Sequence, residues 1–433
     1  MAEAASLWRH RDFLKLWVGE TISVFGSQFT GLALPLIAVL TLRATPGQMG
    51  LIQAFATAPF LLLGLIVGVW VDRRRRRPIL IAADVGRGAV VGMVALLALG
   101  AVLSIEYLYV AALVNGLLTV FFDVAYMAYL PSLVERAQLV EANSKLQSTQ
   151  AAAGVLGPGM AGAIIQLVGA ARVMILDALS FFASAVALAL VARREAPPKS
   201  TGQRSLLAEA REGLAVVTRN PLLRAIASCT GTFNFFSIAY GSVYVLYVLD
   251  VLHVDPLSLG LIFSLGSVGL LVGAVTAARL AKRFGLGRVI VWTNVIGGLG
   301  LLLVPLAGFL PIAPLDWTLP VLVFAQALTG FSIPVYNVNQ VSLRQAITPD
   351  HLQGRMNATM RFIVWGTLPL GALFGGALAE LLVGAVGKAP ALQLTLLVSA
   401  VGSSLAFLWV LFSPVRGLER IPEPAPPPSG GTS

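Results

Sequence analysis

Seven ionisable side chains inside long apolar runs of this sequence stand out as candidates: Glu20, Asp84, Arg87, Asp123, Asp177, Arg361 and Glu380. Charge surrounded by hydrocarbon is costly, so such groups are paired, face water or handle protons. Asp84 and Arg87 are three residues apart and can pair on one helix face. Asp123 stands toward the cationic end of its run and can join them. A structural ion-pair network is the plainer reading of these three, and a network that breaks in one conformation would act as a switch. Glu380 lies near the end of its run and can reach water. Glu20 and Asp177 have no partner close in sequence. A carboxyl in such a setting can take up and release a proton during a working cycle, which makes these two the proton-coupling candidates. The plainer alternative is a hydrogen-bonded structural acid, and Ser180 after Asp177 favours it there.

A second group of charges is a loop. Gly68, Asp72 and five arginines, Arg73, Arg74, Arg75, Arg76 and Arg77, sit between two apolar runs. Consecutive arginines cannot enter hydrocarbon, so the loop lies at a membrane surface, and the positive-inside bias makes that surface cytoplasmic. An acid directly before the arginines suggests a charge latch at a helix junction.

The elements that must carry these residues are membrane spans. The 433 residues are 57% hydrophobic and 12% charged, with a mean hydropathy of +0.85. A soluble domain could not cover its surface with so few polar groups. Apolar segments run near 14–42, 46–70, 79–102, 106–130, 145–168 and 171–192. Six more follow near 222–251, 256–279, 288–310, 317–347, 354–384 and 389–414. Each is long enough to cross a bilayer as a helix. The expected fold is all-α and integral to the membrane, with twelve transmembrane helices in two six-helix bundles, 1–192 and 222–414. Between them, 193–221 reads as a cytoplasmic linker. Its residues 205–219 form an amphipathic helix, with Leu206, Leu207, Ala210, Leu214 and Val217 on one side. The last stretch, 415–433, is rich in Pro, Gly and Ser and reads as a disordered cytoplasmic tail.

The net charge of +10 is topological and does not indicate nucleic acid. Of the 30 Lys and Arg, 26 fall at the termini or in and beside alternate loops placed inside. Only Arg43, Arg172 and Lys388 fall outside. This skew places both termini in the cytoplasm of a bacterial plasma membrane. One cysteine, Cys229, allows no disulfide framework, and His10, His253 and His351 lack neighbours at metal-ligand spacing, so no metal site or cofactor is expected. No nucleotide-binding glycine loop is present either.

The two halves echo one another. Met49 to Phe55 corresponds to Leu259 to Leu265 at an offset of 210, and Ala142-Asn143-Ser144 to Met356-Asn357-Ala358 at 214. Duplicated six-helix units are typical of secondary transporters. Polar residues amid aromatics provide a candidate substrate cavity: Gln28 in the first span, Asn234 and Tyr240 in the seventh, and Tyr336, Asn337 and Gln340 in the tenth. Taken singly, each is as readily an interhelical hydrogen bond. The fifth span carries Gly154, Gly157, Pro158, Gly159 and Gly162. Small residues allow close helix approach and proline kinks a helix, so this run is a hinge, a seal or simply tight packing.

These motifs resemble those of the major facilitator superfamily. Gly68, Asp72, Arg73, Arg76 and Arg77 are similar to its loop signature Gly-x-x-x-Asp-Arg-x-Gly-Arg-Arg/Lys, with Arg75 where that signature has glycine. The resemblance implies that Asp72 contacts a helix of the second half in the outward-facing state, and that Arg76 or Arg77 pairs with Asp123. The glycine run with Gly157-Pro158 is similar to the antiporter signature of exporters. Within the superfamily the chain looks like the drug-efflux branch that includes macrolide-efflux-type proteins and the enterobactin exporter. Many drug/proton antiporters carry an arginine four residues before a glycine in the fourth span. Here Ala112 precedes Gly116, so proton coupling falls to Glu20 or Asp177.

The expectation is a non-enzymatic secondary transporter exporting an amphiphilic small molecule against protons, by alternating access, with lipid, substrate and protons as its partners and no obligate protein partner. An importer or facilitator of a metabolite or lipid is the alternative within transport. A membrane enzyme such as a lipid transferase lacks a catalytic cluster, and a receptor or scaffold would have no need for the polar spans.

Overall fold

The computed structural model describes residues 7–193, 195, 206–307 and 317–420. The side chains at 65, 69, 72, 206–210 and 350–351 lie outside the description, as does the tail from 421. The described residues are helical, without strands, and twelve of the helices are long and apolar enough to cross a membrane.

In the first half these are α1 (Arg11–Leu36), α2 (Pro46–Asp72), α3 (Arg76–Leu99), α4 (Ile105–Leu133), α5 (Leu139–Val168) and α6 (Ala170–Ala189). A linker helix, α7 (Leu206–Arg219), follows. The second half has α8 (Pro221–Asp250), α9 (Pro256–Phe284), α10 (Leu286–Ala307), α11 (Thr318–Ile347), α12 (Asp350–Val386) and α13 (Lys388–Leu405), with a last turn α14 (Leu408–Leu411).

Local chemistry explains the boundaries. Proline at the first helical position costs no hydrogen bond, and a capping side chain satisfies the free amides beside it. Thr45 before Pro46 and Asp255 before Pro256 cap α2 and α9 in this way, with the same backbone angles, φ −75 and ψ 163. They are 210 residues apart, which extends the sequence echo to geometry. Gly169 at φ +85 turns α5 into α6 through one residue, and Gly387 at φ +83 does so between α12 and α13. These angles favour glycine, which has no Cβ. Pro35 in α1 removes an amide donor, and the next residues relax into a wider π turn over Ile37–Thr41.

Within the first half α1 packs on α5 and α6, α3 on α4 and α6, and α2 on α4. In the second, α8 packs on α12 and α13, α9 on α11, and α10 on α11 and α13. The halves are joined mainly by α2 with α12 and α5 with α9, and less extensively by α2 with α8. Their closest approaches lie toward the end opposite the chain termini, called distal below. A Cβ on Gly50 would lie 2.8 Å from the Gly376 Cα, and one on Gly162 would lie 3.0 Å from the Gly260 Cα. Backbones this close exclude side chains and gain dense van der Waals contact, which drives helix association in lipid.

Two expectations change at the terminal end. Residues 415–420 are ordered: Val415 is fully buried, Gly287 N donates to Leu418 O at 2.8 Å and Leu286 N to Glu419 O at 3.2 Å. The tail thus satisfies free amides at the start of α10. In α7, Val217 is buried with Leu223, Met356 and Met360, whereas Leu214 is 50% exposed. Gly213 lies against the Arg355 carbonyl and Thr359, and Arg355 pairs with Glu212. The helix docks on α12 through the Gly213–Val217 side, leaving Leu214 off that contact.

Candidate functional site

Four carboxylates of the first half converge on one guanidinium. Arg87 of α3 pairs with Asp84 one turn earlier. It is also within electrostatic reach of Glu20 on α1, Asp123 on α4 and Asp177 on α6. Phe122 and Phe181 hold it between them, with ring centres 4.1 and 4.5 Å from its Cζ. Asp84 and Asp177 are fully buried, and Arg87 is 7% and Glu20 9% exposed. Asp177 also accepts from the Ser180 hydroxyl at 3.0 Å. One cation cannot fully compensate four ionised carboxylates at this burial.

The cluster has an opening. Glu20 and Asp123 line a cavity of about 400 Å3 between α1, α4 and α5, together with Tyr126, Asn143, Gln147 and Gln150. These side chains can hydrogen-bond water, and the cavity gives Glu20 and Asp123 an open space that fully buried Asp84 and Asp177 do not line.

The pairing of Asp123 with Arg76 or Arg77 is absent. Arg76 instead pairs with Glu195 at 3.0 Å, and Glu195 also accepts from the Arg76 and Arg77 amides at 2.7 and 3.3 Å. Arg77 donates to the Leu188 and Ala189 carbonyls. Geometry accounts for this. Asp123 lies near Arg87, eleven residues from Arg76, which is about 16 Å along a helix. A carboxylate at the start of α3 meets both free amides and the positive end of the helix dipole. Arg73, Arg74 and Arg75 are exposed, with Arg74 over the Trp70 ring at 4.4 Å. The Asp72 contact implied by resemblance lies outside the described residues, and a Cβ on Gly68 would meet open space.

The glycine-proline run of α5 faces two ways. Gly157 packs on Gln28 of α1, whereas Gly159 and Gly162 face Ser264 and Gly260 of α9. Pro158 has no N–H, so the carbonyl four residues back, Gly154, loses its helical donor. The Ser267 hydroxyl of the other half lies 3.1 Å from it, shared with the Phe263 carbonyl at 2.7 Å, and Ser264 donates to Val155 O. The missing N–H of Pro158 thus leaves the Gly154 carbonyl as an acceptor within reach of the facing half.

Between the halves lies a cavity of about 730 Å3 on the terminal side of these contacts. Asn234, Asn337 and Gln340 line it, with Arg344 and Arg361, and Asp123 lies in the opposite wall. Phe60 and Trp365 meet across it at 5.0 Å. The other three expected cavity residues are elsewhere. Gln28 is against Gly157, and Tyr240 is 5% exposed and stacked with Tyr244. Tyr336 bonds Thr230, which is itself at the wall. Arg344 was not anticipated. Its signal was a basic residue one turn after Gln340. Glu380, exposed as expected, accepts from Gly47 N at 2.9 Å and so ties α12 to the start of α2. Among the described residues no cluster suits a metal ion.

The family described as Transmembrane secretion effector, MFS_3, matches residues 2–425. The chain belongs to this family of major facilitator transporters. Among similar transporters is the multidrug efflux pump Tap of Mycolicibacterium fortuitum, 30% identical, with 82% of this chain and 86% of the pump covered. The enterobactin exporter EntS of Citrobacter koseri is 27% identical over 97% of this chain and 96% of its own. A solved bacterial homologue of the iron transporter ferroportin, inward-facing, shares the fold with a TM-score of 0.73 at 18% identity, covering 94% and 98% of the two chains. This major facilitator protein is thus a multi-pass transporter and not an enzyme.

Proposed function

We propose that the chain exports amphiphilic small molecules from the bacterial cytoplasm in exchange for protons, by alternating access, with both termini cytoplasmic. On that orientation the distal glycine contacts close the outer side, the 730 Å3 cavity opens inward, and the conformation is the one that loads cargo. The observation that carries the coupling is the crowding of Glu20, Asp84, Asp123 and Asp177 around Arg87 alone.

The steps follow from the charges. A proton on Glu20 or Asp177 lowers the negative charge around Arg87 and tightens its remaining pair with Asp84. Losing that proton restores repulsion among the acids and biases the half toward another packing. Glu20 exchanges with the polar cavity on the terminal side. Asn234, Asn337 and Gln340 hold polar groups of the cargo, while Phe60 and Trp365 cover its apolar part. The α5–α9 and α2–α12 contacts act as the outer seal, with Gly154, Gly157, Pro158, Gly159 and Gly162 as its pliant element. The arginine loop steadies the inner surface.

Inverted vesicles with an imposed proton gradient test this reading. Amphiphilic drugs added one at a time should collapse the gradient in the wild type, and Glu20→Gln or Asp177→Asn should abolish the collapse. Persistence of full collapse in the double variant would overturn the assignment of these acids. No collapse with any drug, at matched protein level, would overturn proton-coupled drug export.

A further inference from the structure

The wall of the central cavity contributed by the second half holds two guanidinium groups, Arg344 on α11 and Arg361 on α12. Neither has a carboxylate within ion-pair distance among the described residues. The Arg344 Nε is buried and has no hydrogen-bond partner. Arg361 rests over the Trp365 ring at 5.6 Å, which holds its head toward the cavity. The one acid in the lining, Asp123, is on the facing half and within reach of Arg87 there.

Two unneutralised guanidinium groups beside an aromatic roof are complementary to a ligand with one anionic head and an apolar body. Arginine presents a planar fork that binds a carboxylate, sulfonate or phosphate through paired hydrogen bonds. We infer that the cavity selects amphiphiles bearing an anionic head group, held by Arg344 and Arg361. This rests on the export reading given above and narrows its cargo. It also links loading to closure. Shutting the empty cavity would bury two like charges, which is expensive, whereas an anionic head between them offsets one charge, screens their repulsion and makes closure less costly.

The test uses two dyes that share a fluorophore and differ in charge: dansylglycine, a carboxylate, and the monodansyl amide of ethylenediamine, an ammonium. Binding to purified full-length protein in zwitterionic nanodiscs is measured by equilibrium dialysis. Dansylglycine should bind roughly tenfold or more tightly than the ammonium dye, and Arg344→Gln and Arg361→Gln should each lose about that factor. Arg344→Lys should recover part of it, which separates lost charge from misfolding. Equal or tighter binding of the ammonium dye, or full dansylglycine affinity in both Gln variants, would overturn the inference. So would binding of neither dye, and in that case drug-evoked gradient collapse in vesicles still decides the export reading separately.

Discussion

The two halves share a scaffold but differ in charge at matching positions. Aligning α1 with α8 and α3 with α10 by their first residues gives an offset of 210 (Arg11 to Pro221, Arg76 to Leu286). The ends of α4 and α11 give 214 (Leu133 to Ile347), and the glycine turns before α6 and α13 give 218 (Gly169 to Gly387). Glu20 then corresponds to Thr230, Asp84 to Asn294, Asp123 to Asn337 and Asp177 to Thr395. Each of these four acids corresponds to a neutral polar residue in the second half. Arg87 corresponds to Gly297. A duplicated frame can therefore carry a buried charge cluster in one copy and hydrogen-bonding groups with cavity arginines in the other.

Several substitutions would break or sharpen that contrast. The largest effect is expected at the hub. Arg87→Leu leaves Asp84 buried without its cation, which costs about 3–5 kcal/mol when one partner of a buried pair is removed. A large fall in thermal midpoint with loss of transport is the expected outcome. Asn294→Ala, at the Asp84-equivalent position, removes hydrogen bonds to the Ile290 carbonyl and Cys229 and should cost only about 1 kcal/mol.

The joint between the halves comes next. A Cβ at Gly260 would lie 2.9 Å from the Gly162 Cα, so Gly260→Leu should force the distal contact apart. Cysteine pairs across α5 and α9 should then cross-link less than in the parent, with transport lost. Ser267→Ala is milder. It removes the donor to the Gly154 carbonyl and should cost about 1 kcal/mol, read as a small drop in melting temperature.

A smaller effect is expected at the terminal surface. Glu195→Gln keeps the shape but removes the charge opposite Arg76 and the α3 amides. A loss of about 1 kcal/mol is expected, weakened further by salt. Asp123→Asn should leave the Arg76 environment unchanged, since the two groups are not partners in this conformation.

Much of the fold was legible because the bilayer imposes it. A span needs some twenty apolar residues, and twelve such runs stood out with short polar breaks. Capping prolines and glycine turns set the exact ends, which the apolar runs alone left open. Asp84–Arg87 was legible too, being local on one helix. The hub was not: that Glu20, Asp123 and Asp177 meet Arg87 depends on how four helices rotate, which the low-contrast apolar pattern of a membrane helix does not encode. Glu195 was hidden for a different reason. It lies in a polar stretch where any carboxylate looks solvated, and only the fold brings it to the start of α3. The tail was bounded too early at 415, since the Pro-rich sequence begins only at Ile421, after the ordered turn at Pro414–Gly417.

The central claim is that protons bind in the first half and are displaced when cargo binds. Proton release from purified protein in weak buffer, followed with a pH-indicator dye as amphiphilic drugs are added, addresses it directly. The wild type should release protons on binding, Thr230→Ala should release as many, and Glu20→Gln with Asp177→Asn should release none while still binding. Equal release from that double variant would contradict the account.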